Sequence, residues 1–408
     1  MRALLILLGL VVVAAVVQLV RPVPDIHLSA STPSTFTVQG PALDIQWPQQ
    51  GQSALGLQGV GTVGTYGSTA PQAIASVAKM MVAYLILKDH PLAPGANGPS
   101  VTVTSADVAT YQQDLAGGQS VVPVVTGEVL TDRQLLEGML LPSGNNLATL
   151  LAQWDAGSLS AFVAKMNATA KALGMTSTHY ADASGVSAQT ISTAAEQLQL
   201  AELDMQNRTF RHIVAMPQTT LPVAGVVYNV NGFLGRAGIV GIKTGSTGAA
   251  GGCFVAAAYV TAGGQRVLAI GVVFGQGGYY PLENALLGGE TLMQAASRFV
   301  TTDTPLHKGE VVATLSAPWA APVTITAPQG ATLLGWNGLK GTVHLKAGPA
   351  LGRSLAAGSP VGTLQVTLGQ QTVSMPLKAS AAIPPPPLMW RLTRLGGARV
   401  AANPRVSA

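Results

Sequence analysis

Gly241-Ile-Lys-Thr-Gly-Ser-Thr-Gly248 runs directly into the apolar stretch Cys253-Phe-Val-Ala-Ala-Ala-Tyr-Val260, and the reading of the fold starts from that junction. The apolar run is followed by Thr261-Ala-Gly-Gly264 and then by Arg266 to Phe274, a pattern that predicts a β-hairpin. Pro281 to Val300 has the period of a helix that can pack on this hairpin. Upstream, Ser76 to Lys88 reads as a mostly buried helix stopped by Pro91 and Pro94. Between Thr126 and Tyr180 the helical period dominates. Thr131-Asp132 caps Gln134 to Leu141, and helices over Asn146 to Trp154 and Leu159 to Leu173 follow, with another over Thr193 to Leu203. Alternating runs at Leu43 to Trp47 and Ala54 to Leu57 predict a second hairpin. The sum is an α+β domain, an antiparallel sheet flanked by helices with a helical subdomain.

Outside this body, over 41–302, the chain changes character. Residues 1–21 carry an apolar run, Ala3 to Val20, between Arg2 and Arg21, long enough for a transmembrane anchor or an export signal. Residues 22–40, rich in Pro, Ser and Thr, read as a linker. From 303 to 380, short alternating runs such as Val323 to Thr326 and Gly362 to Leu368 predict a small all-β, sandwich-like domain. The tail, 381–408, opens with Ile383-Pro-Pro-Pro-Pro387 and continues as Leu388-Met-Trp-Arg-Leu-Thr-Arg-Leu395. It is either a short amphipathic patch for anionic lipid or a plain polar tail.

Composition bounds the function. The 408 residues include 22 Lys and Arg against 17 Asp and Glu, a net charge of +5, with charged residues only 10% of the chain. No basic cluster interleaves with aromatics, so no nucleic-acid partner is expected. The single cysteine, Cys253, excludes an intrachain disulfide and reads as a small buried strand residue. The six histidines are scattered without metal-ligand spacing, so neither a metal nor another cofactor is expected.

Against this sparse charge, three short motifs stand out. Ser76-Val-Ala-Lys79 puts a hydroxyl and an amine on one helix face, and a neutral lysine can take a serine's proton. The ammonium form would be disfavoured by the helix N-terminus and by a second cation, for which Lys243 is the candidate. Ser143-Gly144-Asn145, in a turn between helices, can send a hydroxyl and an amide into one cleft. Lys243-Thr244-Gly245 can bind a carboxylate, the glycine letting a flat peptide approach the strand edge. Each motif alone is common. All three in this order and these contexts form the set of the class A β-lactamases and penicillin-binding proteins.

The chain resembles the serine D-Ala-D-Ala carboxypeptidases, the low-molecular-mass penicillin-binding proteins. The resemblance covers roughly residues 40 to 300 and includes Phe162 to Tyr180, Asn229-Val-Asn-Gly-Phe-Leu-Gly235 and Gly241 to Gly248. It implies a penicillin-binding/β-lactamase-like transpeptidase fold and a catalytic DD-peptidase domain over 41–302. It also implies an exported enzyme at the extracytoplasmic face of the bacterial membrane that trims peptidoglycan stem peptides and is inhibited by β-lactams. By the same resemblance Ser76 is acylated and Lys79 is its base. Ser143 and Asn145 assist proton transfer and hold substrate, Lys243 and Thr244 bind the terminal carboxylate, and the Ser76 and Ser246 amides form the oxyanion hole. The chain departs from the pattern at Asn146, where many relatives carry Asp, and at Phe274 to Tyr280, which lacks the arginine some relatives use for carboxylate. No Glu segment for a deacylating water stands near Ser184 to Glu196, which argues against a true β-lactamase. A DD-endopeptidase or weak β-lactamase using the same serine, and a slow wall-peptide binder, remain the alternatives.

Overall fold

A computed structural model of the chain describes residues 1–348 and 350–394. The part of the expected tail from 395 to 408 lies outside the described residues. The chain divides into two units, one formed by 39–302 with 334–337, the other by 1–38, 303–333 and 338 onward.

The larger unit is built on a five-stranded antiparallel sheet, in the order Ile239–Thr247, Gly251–Ala262, Gln265–Gln276, Gln52–Leu57, Gly61–Gly67. Its second strand is buried almost throughout. A strand covered on both faces has no polar side to present, which explains the unbroken run of small apolar residues there. The expected hairpin forms with Ala262 opposite Gln265, and both turn residues, Gly263 and Gly264, have positive φ. A two-residue turn that follows the strand twist demands this conformation, so the glycines are required. The helix Pro281–Phe299 crosses the sheet closely enough that a Cβ on Gly289 would lie 2.4 Å from the Phe254 ring.

The helical elements begin where side-chain caps are available. Thr131 and Gln134 form a reciprocal capping box for Asp132–Leu140, and Ser158 and Thr193 cap Leu159–Ala172 and Ala194–Asp204. Asn145–Ala156 follows a tight turn after Leu140. The helix Lys79–Asp89 is buried on nearly all sides, among Leu136, Leu147, Leu151 and Phe162. Contrary to the sequence expectation, Ser76 does not open an α-helix. It stands in a 3₁₀ turn, Ala75–Ala78, and the α-helix starts at Lys79. The expected Leu43–Trp47 strand is also absent. That segment is irregular between Pro41 and Pro48, and Trp47 instead stacks on Tyr66 at 6.2 Å; the hairpin pairs Gln52–Leu57 with Gly61–Gly67.

The second unit contains a three-stranded sheet, His27–Ala30, Val311–Ala317, Ala320–Thr326, and a four-stranded sheet, Thr35–Thr37, Lys340–Ala347, Pro360–Leu368, Gln371–Lys378. The two share one core that includes Val312, Leu315, Leu364, Val366 and Leu377. Residues 22–40 are therefore not a free linker. They carry two strands, and Ile26 and Val38 are buried in this core. The apolar helix Arg2–Val20 has mean hydropathy 3.0 and no buried residue, and is long and apolar enough to cross a membrane. Beside its C-terminus lies the short helix Leu388–Thr393, from whose end Arg394 donates to the carbonyls of Gln18 and Pro22.

Candidate active site

The site is assembled where the 3₁₀ turn, the Ser143 turn and the edge strand Ile239–Thr247 converge. Ser76 and Lys79 are three apart, and in a 3₁₀ turn such positions eclipse. Lys79 Nζ accordingly lies 2.8 Å from Ser76 Oγ. The lysine is fully buried, with Asn145 Oδ1 at 2.6 Å, the Ser184 carbonyl at 2.9 Å and Ser143 Oγ at 3.5 Å. A neutral amine has two N–H donors and one lone pair. With the donors on Asn145 and the Ser184 carbonyl, the lone pair faces the Ser76 hydroxyl.

Charge favours that state. Burial holds the Lys79 amine well below its ordinary range, and the neighbouring Lys243 lowers it further, while Asp182 and Asp114 pull the other way. The expected contribution of Lys243 is present, and burial outweighs it. Lys243, also buried, is itself lowered to about 7 by desolvation. Its Nζ donates to Ser143 Oγ at 3.1 Å and to the Thr244 carbonyl at 3.0 Å. Ser143 Oγ thus bridges the two lysines, and its backbone has φ of 66°. A non-glycine residue in that region is strained, and such strain gathers where a side chain must be aimed. Ala75, one residue before the nucleophile, has the same feature at 47°.

All eight residues singled out from the sequence, Ser76, Lys79, Ser143, Asn145, Lys243, Thr244, Gly245 and Ser246, fall in or beside this cluster. Gly245 has a use that the sequence did not suggest. A Cβ there would lie 2.9 Å from the Ser76 nitrogen and 3.0 Å from the Ala75 Cβ, so the glycine admits the nucleophile turn. Asn146 explains its own departure from the pattern. It accepts from the Val122 amide and donates to the Val122 carbonyl, both at 2.9 Å, which an aspartate could not do. Cys253 is buried on its strand with its thiol pushed up to about 12, as its surroundings dictate.

Sequence reasoning missed four residues at the site. Gln119 accepts from Asn145 Nδ2 at 2.7 Å and fixes the amide so that its oxygen faces Lys79. Ser184 acts through its backbone carbonyl, which no sequence pattern marks. Tyr279 and Tyr280, where an arginine was sought, line an apolar cavity of about 500 Å³ with Phe233, Leu282, Leu286 and Ser246. Ser246 is exposed at its mouth.

A serine held by a buried amine, a second lysine at the strand edge and a hydroxyl between them are the parts of an active-serine acyl transfer site. The chain matches the family of D-alanyl-D-alanine carboxypeptidases over residues 65–277 and belongs to that peptidase family. It is 39% identical over 177 residues to the D-alanyl-D-alanine carboxypeptidase DacB2 of Mycobacterium tuberculosis, covering 42% of this chain and 58% of that protein. To the D-alanyl-D-alanine carboxypeptidase of a Streptomyces strain it is 33% identical over 224 residues, 51% of this chain and 74% of the other. The matched region thus spans little more than half the length of the mycobacterial relative. Penicillin binding protein 5 of Haemophilus influenzae shares the fold, with a TM-score of 0.59 at 21% identity, over 83% of this chain and 98% of its own.

Proposed function

We propose that the protein is a serine D-Ala-D-Ala carboxypeptidase that removes the terminal D-Ala from peptidoglycan stem peptides through an acyl-serine, and that β-lactams acylate the same serine. The observation that carries the reading is the buried Lys79 Nζ at 2.8 Å from Ser76 Oγ, with Asn145 Oδ1 and the Ser184 carbonyl as its other close partners.

Ser76 Oγ attacks the carbonyl carbon of the last peptide bond while its proton passes to Lys79 Nζ. The Ser76 and Ser246 amides hold the oxyanion. As the C–N bond breaks, the leaving D-Ala nitrogen takes a proton through Ser143 Oγ, which is replenished from Lys79, and an ester to Ser76 remains. Water then attacks the ester, again giving its proton to Lys79, and the proton returns to Ser76 Oγ as the shortened peptide leaves. Lys243 and Thr244 hold the terminal carboxylate, whose charge draws Lys243 into its ammonium form. The helix Arg2–Val20 keeps the enzyme on the outer face of the bacterial membrane.

Intact mass after brief exposure to benzylpenicillin tests the reading. The wild type should gain one ligand mass and Ser76→Ala none, and D-Ala should be released from a stem pentapeptide by the wild type alone. No adduct with the drug intact would refute the acyl-enzyme, and loss of the drug without an adduct would mean β-lactamase turnover.

A further inference from the structure

The Ser184 carbonyl reaches Lys79 from a loop, 182–190, that is organised around one side chain. Asp182 Oδ2 accepts from Ser184 Oγ at 2.9 Å and from the amides of Val186 and Ser187 at 2.8 and 3.3 Å. Its Oδ1 accepts from Thr190 Oγ1 at 2.5 Å. That hydroxyl oxygen in turn accepts from the Ala181 and Asp182 amides, closing the loop at its base. The loop is also joined to the segment that delivers the nucleophile. The Ile74 amide donates to the Thr190 carbonyl at 3.2 Å, and Gln72–Ala73 pairs with Ile191–Ser192. At the crest, Gly185 lies so close to the turn before Ser76 that a Cβ would stand 1.8 Å from the Ala75 carbonyl oxygen.

We propose that Asp182 is a positioning residue for acylation, a clasp that keeps the Ser184 carbonyl on Lys79 Nζ and the loop seated against the Ser76 turn. The inference rests on the acyl-serine reading above. Without the clasp, the carbonyl that occupies one amine donor would drift, and the lone pair would lose its aim at Ser76 Oγ. The clasp is charged as well as polar. The ionisable groups acting on Lys79 are Lys243 on the edge strand, Asp114 on the helix Ser105–Ala116 and Asp182 on the loop, and the two carboxylates favour the ammonium. Removing the Asp182 charge therefore lets Lys79 lose its proton at lower pH.

The test is the rate of acylation of the full chain in detergent by benzylpenicillin from pH 4.5 to 9, for wild type, Asp182→Asn and Thr190→Val, with thermal stability measured alongside. Displacing catalytic groups by about 1 Å costs on the order of 10²-fold in rate, so a loosened clasp should slow both variants by about tenfold or more at neutral pH. Only Asp182→Asn should move the acid limb, and toward lower pH; Thr190→Val retains the carboxylate and should leave that limb in place. A purely structural role would lower stability without moving the limb. An unmoved limb in Asp182→Asn, or a wild-type rate in Thr190→Val, would overturn the clasp while leaving the acyl-serine intact. Should Asp182→Asn not fold, the Thr190→Val rate decides alone. A wild type that takes no adduct at Ser76 would overturn both.

Discussion

Lys243 sits at the point where two demands on one residue conflict. In the proposed role it must be charged to hold a carboxylate, yet its burial lowers it to about 7. Capture of a carboxylate ligand by the free enzyme should therefore weaken as pH rises through about 7, giving kcat/KM an alkaline limb. Lys243→Arg, which stays charged across this range, should flatten that limb. Lys243→Ala should reduce capture far more than it reduces thermal stability, and equal losses would count against the assigned role. Away from the site, Asp132 is buried with neither carboxylate oxygen hydrogen-bonded, and burial raises it from 3.8 to about 6. A folded-state value above the unfolded one means that stability is present below about pH 4 and is lost as pH rises through 6. Asp132→Asn should accordingly raise the melting temperature at pH 7.5, by up to about 3 kcal/mol of stability, and do little at pH 4. An equal shift at both values would show that charge is not the cause. The residues that converge at the candidate site were legible because each motif is contiguous in sequence. Gln119 and Ser184 were not, since one meets Asn145 only through the tertiary fold and the other contributes a group every residue has.

Among elements, the 3₁₀ turn and the loop 182–190 depend on each other's shape. Gly185→Ala would place a methyl group within the Ala75 carbonyl, and backbone on both sides leaves little room to yield. Acylation should fall on the order of 10²-fold, a far larger effect than an Ala substitution at the exposed Gly248, where a Cβ meets nothing. Comparable rates for the two variants would show that the turn can relax. The helices were readable because their caps are local: Thr131 with Gln134 announces Asp132–Leu140 from four residues. The strands were readable only where a hairpin brings partners together. His27–Ala30 and Thr35–Thr37 each present too few residues for an alternating pattern, and their partners lie beyond residue 310. They looked like linker for that reason.

For the whole molecule, the N-terminal strands make residues 22–38 part of the second unit. Removing 1–38 should lower or abolish the thermal transition of that unit. The larger unit, whose core is its own, should retain a transition and take one benzylpenicillin at Ser76. Loss of both transitions would show that the cores are not independent. His27 pairs with Ser316, and Thr35 with Thr342, so the larger unit is an insertion within the smaller one. A ribosome adding about 5–20 residues per second would separate the emergence of these partners by roughly 15–60 s. During that interval the inserted unit can finish folding, while Ile26, Leu28, Phe36 and Val38 wait unpaired beside the apolar helix Arg2–Val20. His27–Ala30 and Thr35–Thr37 are thus made long before their partner strands, and their apolar side chains stay uncovered until residues 311–317 and 340–347 have followed.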